Sequence, residues 1–346
     1  MRDRVCLITG ANSGLGYAAA EQLARAGADV HMLCRNQERG EAAMQQIMSD
    51  NPGSRVTLHT LDVSEPRSIR SFAERWLASM VCAVWPISCV CIGTLCHRVA
   101  VWCLADVSPS LKSCAWPIPC CLPQSPVHLL LNNAGAMPDQ RTTNSSGVET
   151  TWATAMGGAH ALTAALAPAL RGGAPATVIN MTSGGAYTAP LDLQAYNSDT
   201  RPYDSTWAYA HAKRAQLCVT QQWAQQLATD GVRVYATHPG WVNTPGLQRS
   251  MPGFAAKRQH DLRTPEQGID TVLWLASRAQ LEPPIMPSGS LVFDRAEVSP
   301  DKWGAHTAWT AAQAAALQRL NNDAWQGAMP VHATEASAGA AMHIDK

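Results

Sequence analysis

Short runs of apolar residues alternate with segments of helical periodicity along most of this chain. Each run has the length of a buried strand, and each periodic segment places its apolar positions on one helix face. This alternation predicts right-handed βαβ units and a parallel sheet. The predicted strands are 5–9, 29–34, 55–60, 127–132, 176–182, 232–238 and 290–293. The predicted helices are 14–26, one ending at Met48, 66–78, 147–170, 206–228 and 264–277.

These elements predict an α/β fold. We expect a single doubly wound, Rossmann-type domain over residues 1–300, with a central parallel sheet, helices on both faces and a long irregular insert. The remaining residues, 301–346, are rich in alanine. Within them we predict a surface helix at 307–325 and a disordered tail at 327–346.

Residues 80–126 interrupt the alternation. They contain eight of the 11 cysteines, six prolines and three tryptophans, but only three charged side chains. We interpret this segment as an insertion without a fold of its own in a helix-to-strand loop, arising from translated intron sequence or a gene-model error. A structureless loop of this length is unusual within a compact domain.

Two other interpretations of the insert are weaker. The uncharged run 77–96 is long enough for a membrane span, but it contains Pro86, and one span would separate the first three βα units from the rest of the sheet. The Cys-Val-Cys and Cys-Cys pairs lack the spacing of a structural zinc site. We therefore predict no metal and consider a membrane location unlikely.

Composition excludes several classes of protein. The 346 residues are 46% hydrophobic and 15% charged, with zero net charge and an isoelectric point near 7.1. Nucleic-acid binding requires a basic footprint that this chain lacks. Cysteines clustered in one segment do not form the framework of a secreted protein. The first strand begins close to Met1 without an apolar leader, so a cytoplasmic location is expected.

A glycine-rich sequence, TGANSGLG at residues 9–16, connects the first predicted strand to the first helix. Glycines let the backbone approach a pyrophosphate, and the helix N-terminus offers N–H groups and the positive end of its dipole. A plain turn is the alternative, but the strand–turn–helix context favours a dinucleotide site. The predicted site includes Gly10, Ser13, Gly14, Leu15 and Gly16.

The end of the second strand predicts which dinucleotide binds. An acidic residue there would hold the ribose 2′-hydroxyl of NAD, whereas this chain has Arg35. A guanidinium suits a 2′-phosphate, which favours NADP(H) over NAD(H), although Arg35 could also be a solvated surface residue. Asp62, after the third strand, is placed to contact the adenine or to cap the next helix.

Tyr209 and Lys213 lie one turn apart on a predicted helix and so share a face. A free tyrosine has a pKa near 10, too high for efficient acid–base work at neutral pH. We expect the Lys213 ammonium and an oxidised nicotinamide to lower that pKa. Ser183, after the strand 176–182, would hydrogen-bond the substrate oxygen. The chemistry predicted is hydride transfer with Tyr209 as general acid or base; an ordinary helix with an exposed lysine is the alternative.

Together these motifs resemble the short-chain dehydrogenase/reductase family: the turn at 9–16, Asn-Asn-Ala-Gly at 132–135, Ser183, the Tyr-x-x-x-Lys pair and Pro-Gly at 239–240. The resemblance covers roughly residues 3–300 apart from the insert. It implies that Asn133 and Thr244 belong to the cofactor site, with Thr244 at the nicotinamide carboxamide. Further stretches, such as Arg-Pro-Tyr-Asp at 201–204, are similar to the member 12 subgroup of dehydrogenase/reductases.

One position departs from the family pattern. Ala155 stands where the family usually has an asparagine that helps to hold a water molecule near the lysine, and alanine has no side-chain hydrogen bond to offer. Gly157 and Gly158 also weaken the helix. We expect slowed turnover; a catalytically silent nucleotide-binding protein and a non-functional variant disrupted by the insert are the alternatives.

The substrate is predicted to be a small carbonyl or secondary alcohol of fairly apolar character. Segments 189–207 and 246–260 would line its pocket, because both mix apolar, aromatic and polar groups. A homo-oligomer is possible, since the helix carrying Tyr209 also presents Trp207, Leu217 and Trp223.

Overall fold

The structure, a computed structural model, describes residues 1–78, 126–279, 281–301 and 307–326. The predicted insert, the alternative membrane span and the predicted disordered tail lie outside the described residues, apart from the edges of the first two. Among the described residues, no helix is both long and apolar enough to cross a membrane.

An eight-stranded sheet with the order β3-β2-β1-β4-β5-β6-β7-β8 forms the centre of the fold. Strands β1 to β7 run parallel. The doubly wound α/β prediction is therefore confirmed, with its topological switch point between β1 and β4. The strands are β1 Val5–Thr9, β2 Asp29–Cys34, β3 Arg55–Thr60, β4 Leu129–Asn132, β5 Ala176–Met181, β6 Val232–Thr237, β7 Leu291–Phe293 and β8 Ala296–Val298.

One strand of the sheet was not predicted. Strand β8, which the hydrophobic pattern did not predict, pairs antiparallel with β7. The two strands are joined by Asp294 and Arg295, both with positive φ (49° and 62°). Two-residue hairpins favour such angles but normally use glycine or asparagine, so this turn has no sequence signal.

Helices cover both faces of the sheet. They are α1 Gly14–Arg25, α2 Gln37–Asp50, α3 Pro66–Ala78, α5 Ser205–Gln226, α6 Pro245–Ser250, α7 Pro252–Lys257, α8 Pro265–Gly268, α9 Asp270–Ser277 and α10 Ala311–Trp325. Helix α4 has three parts: Thr150–Trp152, a π-helical turn at Ala153–Gly157, and Gly158–Gly172.

Each face of the sheet has its own core. Strand residues alternate in direction, so Leu7 packs with residues of α3, α4, α5 and α10, whereas its neighbour Ile8 packs with α1, α2 and α9. Helix α10 begins with a capping box formed by Thr310 and Gln313. It starts four residues later than predicted and packs against α4 and α5.

Candidate active site

The glycine-rich turn follows β1 and has the backbone that its sequence predicts. Gly10 and Gly14 have φ of +65° and +56°, in the left-handed region that favours glycine. Gly16 has ordinary φ but no free space, since a Cβ there would lie 2.4 Å from the Gly10 carbonyl oxygen and 2.6 Å from Asn133 Nδ2. A side chain at Gly16 would therefore displace the turn.

The first turn of α1 offers donors to a ligand. Ser13 is the exposed N-cap residue, with extended backbone, and its side chain makes no capping hydrogen bond. The N–H groups at a helix N-terminus then have no side-chain acceptor and form an anion site. The cradle between Ser13 and Gly16 therefore has free donors of the kind that bind a phosphate, and its role in holding a pyrophosphate stays a prediction.

Asn133 and Thr9 fasten the turn to β4. Asn133 Nδ2 donates to the Thr9 carbonyl oxygen at 2.9 Å, and Thr9 Oγ1 accepts from the backbone N–H groups of Asn133 and Ala134, each at 2.9 Å. The predicted site residue Asn133 thus lies beside Gly10, where it holds two strand ends together. Sequence reasoning missed Thr9, although it is part of the same motif.

Arg35 is exposed at the end of β2. Its Nε lies 3.9 Å from Asp62 Oδ2, and two thirds of the side chain (66%) is open to solvent, so the ion pair is loose and the guanidinium can reach a ligand. Asp62 Oδ1 accepts from the backbone N–H of Ser64 at 2.9 Å and from its hydroxyl at 2.6 Å. Ser64 lies before α3, so the Asp62 carboxylate closes a turn ahead of the helix and does not cap its N–H groups. An adenine contact stays a prediction.

Thr244 lies next to the turn. Its side chain approaches Gly14, where a Cβ would sit 3.3 Å from the threonine Cβ. Its hydroxyl caps α6 by accepting from the Leu247 N–H at 3.1 Å. The structure thus brings Thr244 to the glycine-rich turn, more than 200 residues away along the chain.

Ser183, Tyr209 and Lys213 come together at the carboxyl end of β5. Ser183 follows the strand and forms a side-chain hydrogen bond with Tyr209. Lys213 Nζ lies 5.7 Å from the centre of the Tyr209 ring. The one-turn spacing on α5 therefore places both side chains on one face, as predicted.

The pKa of Tyr209 differs from the expectation. Burial raises it, and the hydrogen bond with Ser183 opposes that rise. The predicted lowering is not produced by the protein's own groups, because the phenolate loses more hydration than its neighbours return. Sequence reasoning named the nearby cation but could not include the cost of burial.

Lys213 is not the exposed lysine of the alternative interpretation. Only 2% of the residue is accessible, and burial lowers the pKa of its ammonium to about 7. Nζ donates to the Met181 carbonyl oxygen at 2.7 Å and to Gln216 Oε1 at 3.2 Å. Gln216 in turn donates from Nε2 to the Ala155 carbonyl oxygen at 2.9 Å. Gln216 was missed, since a glutamine within a helix carries no sequence signal.

Close packing accounts for the two glycines that follow Ala155, Gly157 and Gly158. A Cβ at Gly157 would lie 2.2 Å from the Trp325 ring, and one at Gly158 would lie 2.5 Å from the Val63 carbonyl oxygen. Both glycines thus permit close packing, against α10 and against the segment after β3. Their cost in helix propensity is offset by this packing.

Aromatic side chains follow β6. Trp241 is 48% exposed and packs edge-on against Phe254 of α7, with ring centres 5.4 Å apart. The Arg258 guanidinium lies 4.8 Å from the centre of the Trp241 ring. This part of the predicted 246–260 segment therefore presents an apolar surface with a cationic edge.

Comparison with known protein families gives two matches. A family model described as short chain dehydrogenase matches residues 4–85, and one described as enoyl-(acyl carrier protein) reductase matches residues 125–280. Dehydrogenase/reductase SDR family member 12 of Homo sapiens is 32% identical over 86% of this chain and 78% of its own. Retinol dehydrogenase 12 of Mus musculus is 31% identical over 81% of this chain and 75% of its own.

Solved structures share the fold. An uncharacterised protein from Mycobacterium paratuberculosis has a TM-score of 0.64 and 24% identity, covering 95% of this chain and 96% of its own. L-sorbose reductase from Gluconobacter frateurii, solved with NADPH, has a TM-score of 0.57 and 19% identity over 84% and 95%. A 3-ketoacyl-(acyl-carrier-protein) reductase from Brucella melitensis, solved with NADH, has a TM-score of 0.55 and 20% identity, covering 85% of this chain and 97% of its own. Proteins of this fold thus bind either nicotinamide dinucleotide.

Proposed function

The chain belongs to the short-chain dehydrogenase/reductase family of oxidoreductases, and we propose that it is an NADP(H)-dependent member that interconverts an aldehyde or ketone and the corresponding alcohol. The observation that carries the proposal is the Tyr209 side chain, which interacts with Ser183 and whose ring centre lies 5.7 Å from the buried Lys213 Nζ. These groups stand at the carboxyl edge of the sheet, the edge that also carries the dinucleotide cradle.

Each side chain has a role that its surroundings support. Tyr209 donates its phenolic proton to the oxygen of a carbonyl as that oxygen becomes an alkoxide, and takes the proton back in the oxidation of an alcohol. Ser183 hydrogen-bonds the same oxygen and orients it. Lys213, when protonated, stabilises the Tyr209 phenolate across the short distance between them. The nicotinamide, when bound, supplies or accepts the hydride.

Arg35 supports the choice of NADP(H). Its side chain is largely exposed and only loosely paired, so it can form charge-assisted hydrogen bonds with a 2′-phosphate. We expect Arg35→Ala to weaken NADPH binding by about 10- to 100-fold, the effect of roughly 1.4–3 kcal/mol, and to leave NADH binding unchanged. Arg55→Ala is the matched control, because Arg55 is also exposed and paired with an acid but lies at the amino end of β3, whereas Arg35 follows the carboxyl end of β2. Equal losses for both cofactors would contradict this role.

The substrate is proposed to be an apolar carbonyl compound. The exposed Trp241 and its partner Phe254 support this choice, as does the similarity to proteins named retinol dehydrogenase. Oxidation of NADPH by a panel of apolar aldehydes and ketones that includes retinal tests it directly.

Tyr209→Phe separates catalysis from binding. The variant should bind NADPH like the wild type and lose at least about 100-fold in turnover, the lower range for loss of a general acid. Tyr235→Phe is the control, since Tyr235 is a buried tyrosine of β6 whose hydroxyl donates to the Met286 carbonyl oxygen, and it packs in the core on the opposite face of the sheet from α5. NADPH binding without turnover of any compound would favour the catalytically silent alternative.

A further inference from the structure

Gln216 joins two parts of the site that are distant in sequence. It is fully buried on α5, three residues after Lys213. Its Oε1 accepts from the Lys213 ammonium at 3.2 Å, and its Nε2 donates to the Ala155 carbonyl oxygen at 2.9 Å. Both ends of one amide are therefore used, and a bridge runs from the ammonium to the π-helical turn of α4.

The bridge has a defined orientation. An amide has one accepting and one donating end, so the ammonium can bind only at Oε1 when Nε2 faces a carbonyl. The Ala155 side chain is a methyl group, which leaves its carbonyl as the polar group that the turn offers. A π-helical turn in an α-helix often marks a functional site.

Lys213 has few groups that favour its charged form. Among the described residues, its hydrogen-bond acceptors are the Met181 carbonyl oxygen and Gln216 Oε1, and its neighbouring titratable group is Tyr209 on the same helix. No described carboxylate forms an ion pair with it. Gln216 therefore supplies a large share of the polar stabilisation that keeps this buried nitrogen protonated.

We propose that Gln216 is a positioning residue: its amide holds the Lys213 ammonium beside Tyr209 by bridging it to the carbonyl of Ala155. The role rests on the function proposed above. An amide from α5 thus stands where the family relies on an asparagine side chain of α4, and the expected loss of activity from Ala155 is offset within the chain.

The consequence for Lys213 has a definite sign. Loss of the acceptor removes a hydrogen bond to the charged form, which lowers the pKa of the ammonium by about one unit. From a starting value of about 7, the charged fraction at pH 7 falls from roughly a half to roughly a tenth. At pH 8 the charged fraction of Lys213 is about tenfold larger in the wild type than in the variant, and at pH 6 it is less than about twofold larger.

Lysine-selective NMR measures the pKa of the Lys213 ammonium without any cofactor or substrate. The chain has only five lysines, so ¹³Cε-lysine resonances are few, and Lys213→Met assigns the relevant one. Gln216→Met, which keeps the volume but has no amide, should lower the titration midpoint of Lys213 by about one pH unit. Gln216→Glu should raise it, because a carboxylate favours the ammonium. Opposite shifts from the two variants cannot come from general destabilisation.

Kinetics with NADP and retinol as the probe alcohol test whether the bridge matters for turnover. The loss in kcat for Gln216→Met should grow from pH 6 to pH 8, with the dissociation constant of NADP within about twofold of wild type. Gln222→Met is the control, since Gln222 lies on the same helix and donates instead to the Ala314 carbonyl of α10; its profile should match wild type.

The outcomes separate the two proposals. A Lys213 midpoint that is the same in both Gln216 variants and wild type overturns the bridge, whatever the activity. A kcat ratio that does not change with pH overturns its role in turnover. A shifted midpoint in a protein that transfers no hydride, even to the full panel, instead refutes the proposed function and leaves Gln216 without a reaction to support.

Discussion

Replacing Lys213 with methionine should make the protein more stable at neutral pH. The residue is 2% exposed, and burial lowers the pKa of its ammonium from 10.5 to about 7. Each pKa unit corresponds to about 1.36 kcal/mol, so the charged form costs the folded state about 5 kcal/mol. Methionine has similar length and no charge, and therefore avoids that cost.

The sign of the pH dependence follows from proton binding. Between pH 7 and 10.5 the unfolded chain holds a proton at Lys213 that the folded chain has released, so a rising pH favours the folded wild type. The cost is fully present below pH 7 and disappears above 10.5. The free energy of unfolding of the wild type, minus that of Lys213→Met, should therefore rise by about 3 kcal/mol from pH 7 to pH 9.5.

Urea unfolding followed by tryptophan fluorescence at closely spaced pH values measures this difference. Lys257→Met is the matched control, because Lys257 is exposed on α7 and its removal relieves no burial. The free energy of unfolding of the wild type, minus that of Lys257→Met, should not change with pH. A Lys213→Met difference that is also flat to within about 0.5 kcal/mol would refute the claim that this lysine is buried at an energetic cost.

Three further substitutions test the packing around the site. Gly16→Ala should weaken NADPH binding by at least about tenfold and reduce the free energy of unfolding by about 1–3 kcal/mol, because its methyl group would lie 2.4 Å from a backbone oxygen. Gly253→Ala, whose methyl group would meet nothing within 4 Å, should have neither effect. Fluorescence titration with NADPH and urea unfolding measure the two quantities. Trp325→Ala should cost about 3–5 kcal/mol, since the ring is fully buried, whereas Trp241→Ala, at a half-exposed ring, should cost under about 1 kcal/mol in the same unfolding experiment. Thr9→Val should cost about 1–2 kcal/mol, because the half-buried Ala134 N–H loses its acceptor and the Asn133 N–H keeps only the Leu131 carbonyl oxygen; a change under about 0.5 kcal/mol would mean that the Ala134 N–H finds another acceptor.

Much of the fold could be predicted because its signals are local. The first three strands, 5–9, 29–34 and 55–60, match the structure residue for residue. Each is a short apolar or alternating run next to a turn; β1 and β2 have parallel partners on both sides, and β3 is the edge strand. The order of the strands, with its switch point between β1 and β4, is seen only in the folded chain.

Features that depend on distant contacts were missed. The π-helical turn at Ala153–Gly157 ends at a glycine on which a tryptophan of α10, about 170 residues later, packs closely. The predicted helix 264–277 is instead two helices that meet at Ile269, with Gly268 packed against Leu15 and Val242. Hydrophobic periodicity carries no information on either contact.

The candidate site divides in the same way. The motif predicted which side chains meet: Ser183, Tyr209 and Lys213 do lie together. Their energetics could not be predicted, because the pKa of Tyr209 and that of Lys213 depend on burial, which the motif does not encode. Gln216 belongs to this second class, since only the folded chain brings it to Ala155.

The most direct test of the account follows a hydride from NADPH to a substrate. NADPH with deuterium at both positions of the nicotinamide C4 is incubated with retinal and the other apolar carbonyl compounds, and mass spectrometry of the alcohol product counts the label. The account predicts one deuterium per alcohol with the wild type and Tyr235→Phe, and at least about 100-fold slower labelling with Tyr209→Phe. Labelling by Tyr209→Phe at the wild-type rate, or no labelled alcohol from any compound, would contradict it.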